Sequence, residues 1–357
     1  MRALKEIVSD EQIKKYDRSN IFDDYRAWPK LALEPFEKSV SAPKVSVFGH
    51  IVVCGMGGSA AAGDVLRNWL KKLNVVVVKG YHLPKWVNRG DLVIAMSYSG
   101  NTEETLSCYS EALEMKLPLV TVSSGGLLES SSKKKGIPFN KVSSGLAPRA
   151  AFPLLFYTLV NILHSLKIVD DIEFKESRSS VEVLSLCSKK IFPEVPINEN
   201  ISKQVASFMF RKYPVIYGGE DISCVVERFR RLVSENGKWH AMADVLPELC
   251  HNEIVAYDIP NPQLRIMLLR TKLDPQEIKI RFEVIKEVLL MAKQKVMELF
   301  PEGDSLLGNI ISYIYFLDVS TIYLAIMNKV EPAKTKNIDY LKMRLEKELK
   351  YTDKLSL

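Results

Sequence analysis

A repeated strand–glycine loop–helix pattern constrains the fold of this chain more than any other feature of its sequence. The first copy, near residue 50, reads HIVVCGMGGSAAAGDVLRNWL: a β-branched run, a glycine turn, then apolar residues at helical spacing. The alternation continues through VVVVKG, DLVIAMSYSGNTEETLSCYSEALEM and LPLVTVSSGG. Continuous apolar strands that alternate with helices are typical of parallel sheets covered on both faces. The sequence therefore predicts an α/β fold of the doubly wound type.

A weaker copy of the pattern occupies the C-terminal half, which reads YPVIYGGEDISCVVERFRRLVSENG. Further strands are predicted near Glu253–Tyr257 and Leu264–Leu269, and long helices from Gln276 onward. Because YGGED stands where the first copy has GMGGS, we infer a duplicated domain whose second copy has lost the serine. The predicted organisation is a helical N-terminal lead-in (1–45), a first doubly wound domain (46–166), a connector (167–198) and a second doubly wound domain with a C-terminal helix (199–357).

Composition and charge argue against several functional classes. The net charge of +6 is spread out, and its densest run is only Lys133 to Lys135, so no nucleic-acid partner is predicted. The five cysteines form no CxxC pair, which favours a reducing cytoplasm over a disulfide scaffold or a zinc knuckle. The start of the chain, MRALKEIVSDEQIKKYD, lacks the apolar region of a signal peptide. The apolar stretch Ile310–Met327 is almost long enough to span a bilayer, but Asp318 at its middle predicts a buried helix and no membrane partner.

Two loops carry the residues that predict an anion site. The loop from Gly55 to Ser59 lacks the third glycine of a dinucleotide fingerprint, no acidic residue ends the next strand, and there is no Walker lysine. Backbone N–H groups at a helix N-terminus and a hydroxyl remain, which together form an anion cradle. The loop from Ser97 to Thr102 adds three hydroxyls before a helix predicted to start near Glu103, whereas a simple N-cap needs only one. Both loops are expected at the carboxyl edge of the sheet, where they suit a single phosphate monoester without a metal.

The sequences of these two loops, and of other segments, resemble those of a known protein family. The segments CGMGGSAAAGDVL and MSYSGNTEETL resemble the phosphosugar-binding loops of the sugar isomerase (SIS) domain, a flavodoxin-like fold. The segments APRAAFPLLF, SENGKWHAMADVLPELCHNEIV and IDYLKMRL are similar to those of archaeal-type bifunctional phosphoglucose/phosphomannose isomerases, so that the resemblance covers nearly the whole chain. It implies a cytoplasmic aldose–ketose isomerase that interconverts glucose 6-phosphate and mannose 6-phosphate with fructose 6-phosphate through a cis-enediol. It also implies no cofactor, no metal, and a homodimer with shared active sites.

The resemblance assigns roles to individual residues. Binding of the phosphosugar falls to the loops of the first domain, at Gly58, Ser59, Ser97, Tyr98, Ser99 and Thr102. Glu235 is the implied base, which takes the C2 proton and returns it to C1. Glu235 lies near the C-terminus of a predicted helix, where the dipole disfavours negative charge and favours basicity. His251 is the implied proton relay for ring opening, contributed by the neighbouring subunit.

Several assignments remain open at this point. His240 is a rival for the histidine role, and Glu248 and Glu253 are rival carboxylates, of which we interpret Glu253 as structural, on or beside a strand. The resemblance also implies that Arg149 stabilises the charge of the enediolate and that Lys342 assists ring opening. Thr335 matches the position where the bifunctional group has a threonine in place of the glutamine of ordinary phosphoglucose isomerases, although VEPAKTKNID departs from the usual local run. The alternatives are another SIS-domain enzyme, or a non-catalytic phosphosugar sensor, which would leave Glu235 and His251 unexplained.

Overall fold

The computed structural model describes residues 8–44 and 49–349. The boundary predicted between lead-in and first domain, at residues 45 and 46, lies outside the described residues. The described chain divides into two compact units. One, here called the five-strand unit, holds residues 27–44, 49–178 and 335–349; the other, the four-strand unit, holds residues 8–26 and 179–334. The predicted connector, 167–198, contains a long helix, Asp171–Ile191.

Parallel strands and helices alternate along most of the described chain, after a series of short helices between residues 10 and 37. The described helices are α1 (Asp10–Tyr16), α2 (Ile21–Arg26), α3 (Trp28–Leu31), α4 (Glu34–Glu37), α5 (Gly57–Trp69), α6 (Glu103–Glu114), α7 (Gly126–Lys135), α8 (Phe152–Ser165), α9 (Asp171–Ile191), α10 (Ile201–Met209), α11 (Ser223–Glu235), α12 (Gln276–Met291), α13 (Leu306–Met327) and α14 (Lys336–Leu349). The strands are β1 (Ile51–Cys54), β2 (Val75–Val78), β3 (Leu92–Met96), β4 (Leu119–Ser123), β5 (Phe139–Lys141), β6 (Tyr213–Gly219), β7 (Met242–Leu246), β8 (Leu264–Leu269) and β9 (Val296–Leu299). Short 3₁₀ helices cover Glu220–Ile222, Glu248–His251 and Glu253–Asp258.

The sheet of the five-strand unit has the order β2-β1-β3-β4-β5, with every pair parallel. This is the flavodoxin-like order, so the predicted doubly wound fold is confirmed. The central strands β1 and β3 are buried along their whole length because helices cover both faces of the sheet. The strand order reverses between β1 and β3, and ligands bind at such a reversal in open α/β sheets. The two hydroxyl-bearing loops follow these two strands.

The sheet of the four-strand unit repeats the same order with one strand fewer, β7-β6-β8-β9. Its strands are also parallel, as the pairs Val215↔Met242 and Ile266↔Val296 illustrate. The connections β6–α11–β7 and β8–α12–β9 run in opposite directions along the sheet. Since such crossovers are right-handed, α11 and α12 cover opposite faces.

One predicted strand of this unit is wrong. The run from Glu253 to Tyr257 forms the 3₁₀ helix Glu253–Asp258. The strand that pairs with β6 on the side away from β8 is instead β7. The apolar run IVAY has strand-like composition, but Tyr257 is buried by packing onto the sheet face beside Tyr217 and Leu268. Tertiary packing therefore decides the conformation of this segment against its local propensity.

The apolar helix α13 lies in the core of the four-strand unit. It is long and apolar enough to cross a membrane, but its most apolar window is 100% buried inside the protein, which confirms the predicted buried helix. The hydroxyl of Ser305 caps its N-terminus by accepting a hydrogen bond from Gly308 N–H at 3.1 Å. The one carboxylate within it, Asp318, is neutralised by a buried arginine, Arg228, at 2.6 Å.

Candidate active site

The hydroxyls predicted to bind phosphate come together in the five-strand unit. Ser97 Oγ lies 2.8 Å from Thr102 Oγ1 and 3.5 Å from Ser99 Oγ. Ser59, from the other loop, joins them because its Oγ accepts a hydrogen bond from the backbone N–H of Tyr98 at 3.2 Å. The two loops thus form one structure, which we call the hydroxyl cradle: Gly58, Ser59, Ser97, Tyr98, Ser99 and Thr102.

Tight turns hold the cradle in shape. Gly100 has a left-handed φ of +72°, and a Cβ there would lie 1.8 Å from the carbonyl oxygen of Gly125, so only glycine fits. The N–H of Gly100 donates to Ser97 Oγ at 3.1 Å. The buried side chain of Tyr98 accepts a hydrogen bond from Leu146 N–H at 3.0 Å, which ties the cradle to the loop before α8. This contact gives Tyr98 a structural role, and its role toward a substrate stays a prediction.

Two helices point their N-termini at the cradle. Helix α5 begins at Gly57 and α6 begins at Glu103, directly after β1 and β3 of the sheet. The side chain of Met56, at the N-cap of α5, carries no hydrogen-bonding oxygen, and the hydroxyl of Thr102, at the N-cap of α6, faces Ser97. Backbone N–H groups and the positive ends of two helix dipoles therefore converge on one edge, which favours a bound anion.

Arg149 is brought against the same edge by a close backbone approach. A Cβ at Gly58 would lie 2.9 Å from the carbonyl oxygen of Pro148 and 3.2 Å from the Cα of Arg149. The chain before α8 therefore rests directly on the first turn of α5, and glycine at 58 permits this contact. The arginine is buried, with 4% of its surface exposed. The backbone of Arg149 therefore lies beside the cradle, and the role of its side chain toward an enediolate stays a prediction.

Glu235 is the last residue of α11 in the four-strand unit, as predicted, and is half-buried. The residue after it, Asn236, is fully buried and donates from Nδ2 to Thr321 Oγ1 of α13 at 2.8 Å. Lys238 bonds through Nζ to the backbone carbonyl of Glu235, and the carbonyl of Gly237 accepts from Asn328 Nδ2 at 2.9 Å. The backbone that carries Glu235 is therefore held on both sides.

His251 ends the 3₁₀ helix Glu248–His251 and is exposed, as is its rival His240. The interpretation of Glu253 as structural gains support from its contacts, although it lies on a 3₁₀ helix rather than on a strand. Its Oε1 accepts a hydrogen bond from Tyr217 Oη at 2.9 Å, and Tyr217 Oη lies 2.6 Å from Tyr257 Oη. Burial raises the pKa of Tyr217, so this phenol stays a neutral donor that anchors the segment after His251.

Glu235 and His251 do not come together within the four-strand unit. Helix α11 runs from the carboxyl end of β6 back to the amino edge, so Glu235 lies at the amino edge of the sheet. His251 follows the carboxyl end of β7, in a segment that packs with α12 on the face opposite to α11. Since α11 has 13 residues, its ends are about 18 Å apart. The sheet itself lies between the two residues.

The remaining predicted residues lie in the C-terminal segment. Lys342 is on α14 and is exposed, and Thr335, directly before α14, is half-buried. The backbone carbonyl of Thr335 supports the first turn of this helix by accepting a hydrogen bond from Asp339 N–H at 3.0 Å. The roles of both residues toward a substrate stay predictions.

A buried ion pair between α11 and α13 was missed in the sequence. Arg228 Nη2 lies 2.6 Å from Asp318 Oδ2, and both side chains are almost fully buried. The sequence did contain a signal for this pair, because Asp318 interrupts an apolar helix and a buried carboxylate requires a partner of opposite charge. The partner could not be found from the sequence because it is 90 residues away.

Two parallel sheets of flavodoxin-like order, one with a hydroxyl cradle at its strand reversal, define an α/β protein of the SIS class. The SIS domain family matches residues 46–127, and the family of bacterial phospho-glucose isomerase C-terminal SIS domains matches residues 198–345. The chain shares its fold with a hypothetical protein from Thermus thermophilus, with a TM-score of 0.76, 16% identity, and coverage of 98% of this chain and 95% of that one.

Named relatives show which family within the SIS class this chain is similar to. Over 309 residues the chain is 34% identical to the bifunctional phosphoglucose/phosphomannose isomerase of Caldicellulosiruptor bescii, a match that covers 85% of this chain and 91% of that protein. It is 30% identical over 302 residues to the protein of the same name from the archaeon Thermoplasma acidophilum, with coverage of 85% and 91%. The chain therefore belongs to the family of bifunctional phosphoglucose/phosphomannose isomerases, which confirms the resemblance read from its motifs.

Proposed function

We propose that the chain is an aldose–ketose isomerase that interconverts glucose 6-phosphate and mannose 6-phosphate with fructose 6-phosphate through a cis-enediol. The observation that carries the proposal is the hydroxyl cradle, at a strand reversal where two helix N-termini converge, in a chain of this family. Its hydroxyls and amides suit one phosphate monoester. A mild positive net charge, +6, agrees with an anionic substrate.

The proposed chemistry needs an anchor, a ring opener, a base and a fixed positive charge. The cradle holds the 6-phosphate, and His251 with Lys342 moves the proton that opens the pyranose. Glu235 then removes the C2 proton and returns it to C1, while the guanidinium of Arg149 stabilises the negative charge of the enediolate. No step in this scheme uses a cofactor or a metal. The cytoplasmic location predicted from the cysteine pattern is part of the same proposal.

We further propose a homodimer in which His251 acts on the site of the neighbouring subunit. The support is the separation of Glu235 from His251 by the sheet of the four-strand unit, because one chain alone leaves the two residues on opposite faces. Exposed apolar side chains near His251, Val255 at 60% and Ile259 at 80%, also favour a covered surface.

The first experiment measures the conversion of glucose 6-phosphate and of mannose 6-phosphate to fructose 6-phosphate, each separately and in the presence of EDTA. We expect turnover of both. Turnover of glucose 6-phosphate alone would retain the mechanism and remove the claim on both epimers. Binding of the phosphosugar with no turnover of either would instead favour a sensor or a different SIS enzyme.

The second experiment tests the shared site by complementation. The variants Glu235→Gln and His251→Ala are each expected to be inactive on closed-ring sugar, with inorganic phosphate still bound. Mixing the two after unfolding and refolding together should restore about a quarter of the wild-type activity, because half of the dimers are mixed and each mixed dimer has one intact site. No recovery, in a mixture shown to contain mixed dimers, would place both residues in the same subunit's site.

A further inference from the structure

The turn that joins β4 to α7 packs directly on the loop that carries most of the cradle hydroxyls. A Cβ at Gly126 would lie 2.4 Å from the carbonyl oxygen of Ser99 and 2.6 Å from Asn101 Oδ1, so the chain approaches this loop more closely than a side chain would allow. On the same turn, Ser124 Oγ donates to the carbonyl oxygen of Tyr98 at 2.7 Å. The cradle is therefore supported by a third loop of the sheet, in addition to the two loops that form it.

Helix α7 takes its N-terminal cap from the cradle loop. Its own N-cap residue, Gly125, has no side chain that could accept a hydrogen bond. The N–H of Leu127 instead donates to Asn101 Oδ1 at 2.9 Å. The N–H of Leu128 donates to the carbonyl oxygen of Gly100 at 3.0 Å. These N–H groups belong to the second and third residues of α7, which an N-cap side chain normally satisfies, so the first turn of α7 holds the cradle loop.

Asn101 also contacts the cradle itself. Its backbone N–H donates to Ser99 Oγ at 3.2 Å. The next residue in the chain is Thr102, whose Oγ1 lies 2.8 Å from Ser97 Oγ. Asn101 therefore lies between two cradle hydroxyls in the sequence while its side chain bonds to α7. Because Asn101 is exposed, its replacement removes this connection without opening the core.

We propose that Asn101 is a positioning residue for the hydroxyl cradle. Its side chain fixes the cradle loop to the first turn of α7 and thereby holds the hydroxyls of Ser99 and Thr102 in the arrangement that binds the 6-phosphate. The inference rests on the proposed isomerase function, in which the cradle is the anchor. Groups held in their binding geometry bind more tightly than mobile ones, because less conformational freedom is lost when the ligand binds. If Asn101 only capped α7, its loss would lower the stability of the fold and leave the affinity for phosphate unchanged.

The first test is calorimetry of inorganic phosphate with the wild type and Asn101→Ala. The Kd should rise about fivefold in the variant, the factor that corresponds to the net contribution of a typical hydrogen bond. The KM for fructose 6-phosphate should rise by a similar factor and kcat should change less, because the anchor binds the phosphate in the ground state and in the transition state alike.

The matched control is Ser132→Ala on the same helix. It removes a buried hydrogen bond of 2.9 Å between Ser132 Oγ and Thr121 Oγ1, so it should also destabilise the packing of α7 on the sheet. Both variants should unfold at a lower urea concentration than the wild type, but the Kd for phosphate should rise in Asn101→Ala alone. An unchanged Kd in Asn101→Ala overturns the inference, and so does an equal rise in Ser132→Ala.

A second measurement, amide hydrogen exchange at Leu127, is made first on the wild type. If the cradle and the first turn of α7 are coupled through Asn101, bound phosphate should slow the exchange of the Leu127 N–H, because such coupling acts in both directions. In Asn101→Ala phosphate should have no such effect. Exchange at Leu127 that phosphate leaves unchanged in the wild type overturns the inference, and this result does not depend on whether Asn101→Ala folds.

The same experiments separate this inference from the proposed function. A wild type that binds fructose 6-phosphate but isomerises no hexose 6-phosphate refutes the proposed function, and the ratio of the phosphate Kd values still decides the role of Asn101. A wild type that binds neither inorganic phosphate nor fructose 6-phosphate refutes the cradle as an anchor, and the inference with it.

Discussion

Gly58→Ala is expected to displace Arg149 without disturbing the rest of the fold. The added Cβ would lie 2.9 Å from the carbonyl oxygen of Pro148 and 3.2 Å from the Cα of Arg149. An ordinary contact begins at 3.4 Å, so the Pro148 carbonyl must retreat by about 0.5 Å, the difference between 3.4 and 2.9 Å. Both neighbours are backbone atoms, so no flexible side chain can absorb the clash. The loop before α8 must therefore move, and the arginine moves with it.

The kinetic cost can be estimated from this displacement. A misplacement of about 1 Å costs on the order of a hundredfold in rate, so about 0.5 Å predicts a loss of about tenfold. Because the proposed role of Arg149 is to stabilise the enediolate, we expect the loss in kcat, with KM for fructose 6-phosphate changed less. Strain in the loop should lower the free energy of unfolding by about 1–2 kcal/mol, partly offset by the better helix propensity of alanine.

The assay measures isomerisation over a range of substrate concentrations, together with urea unfolding of each protein. The matched control is Gly136→Ala, at the C-cap of α7, where φ is +67° and nothing lies within 4 Å of the added Cβ. That change should cost about 1 kcal/mol through backbone strain alone and leave kcat unchanged. A wild-type kcat in Gly58→Ala would refute the reasoning, as would an equal loss of kcat in Gly136→Ala.

Three further predictions concern the anchor, the epimer choice and acid stability. Ser97→Ala removes the hydrogen bonds that Ser97 Oγ makes with Thr102 Oγ1 and with Gly100 N–H. The Kd for inorganic phosphate, measured by calorimetry, should therefore rise about tenfold, and it should rise less in Ser99→Ala. Thr335→Gln should lower kcat/KM for mannose 6-phosphate more than for glucose 6-phosphate; equal losses would contradict the role of Thr335 in epimer choice. Burial alone would raise the pKa of Asp91, but hydrogen bonds from Asn88 N–H and His50 hold that pKa below its usual value. The ionised carboxylate of Asp91 therefore stabilises the folded state above about pH 4, and this contribution to the free energy of unfolding is lost as the pH falls through the lowered pKa. Between about pH 5 and pH 2.5, the Tm of the wild type should therefore fall more steeply than the Tm of Asp91→Asn.

Local patterns were sufficient to predict the α/β class, the convergence of the hydroxyl-bearing loops and the buried helix α13. Each depends on neighbours in the chain: apolar runs of strand length, helical spacing, and glycines with hydroxyls where a strand passes into a helix. The hydroxyls of Ser97, Ser99 and Thr102 fall within six residues, so their convergence needs only one loop to form. The motifs also sufficed to identify the family, because they lie in the loops that distinguish it.

Features that depend on contacts between distant segments of the chain are determined by the tertiary structure alone. The segment from Glu253 to Tyr257 is helical because it packs over Tyr217, and β7 is a strand because β6 pairs with it. Glu235 and His251 are only sixteen residues apart in sequence, yet a sheet separates them, because the hand of the crossovers sets which face each segment covers. Asp318 and Arg228 are 90 residues apart in sequence, and they pair because the packed chain brings their helices together. Burial and ion-pair partners depend on this packing, so the local sequence does not contain them.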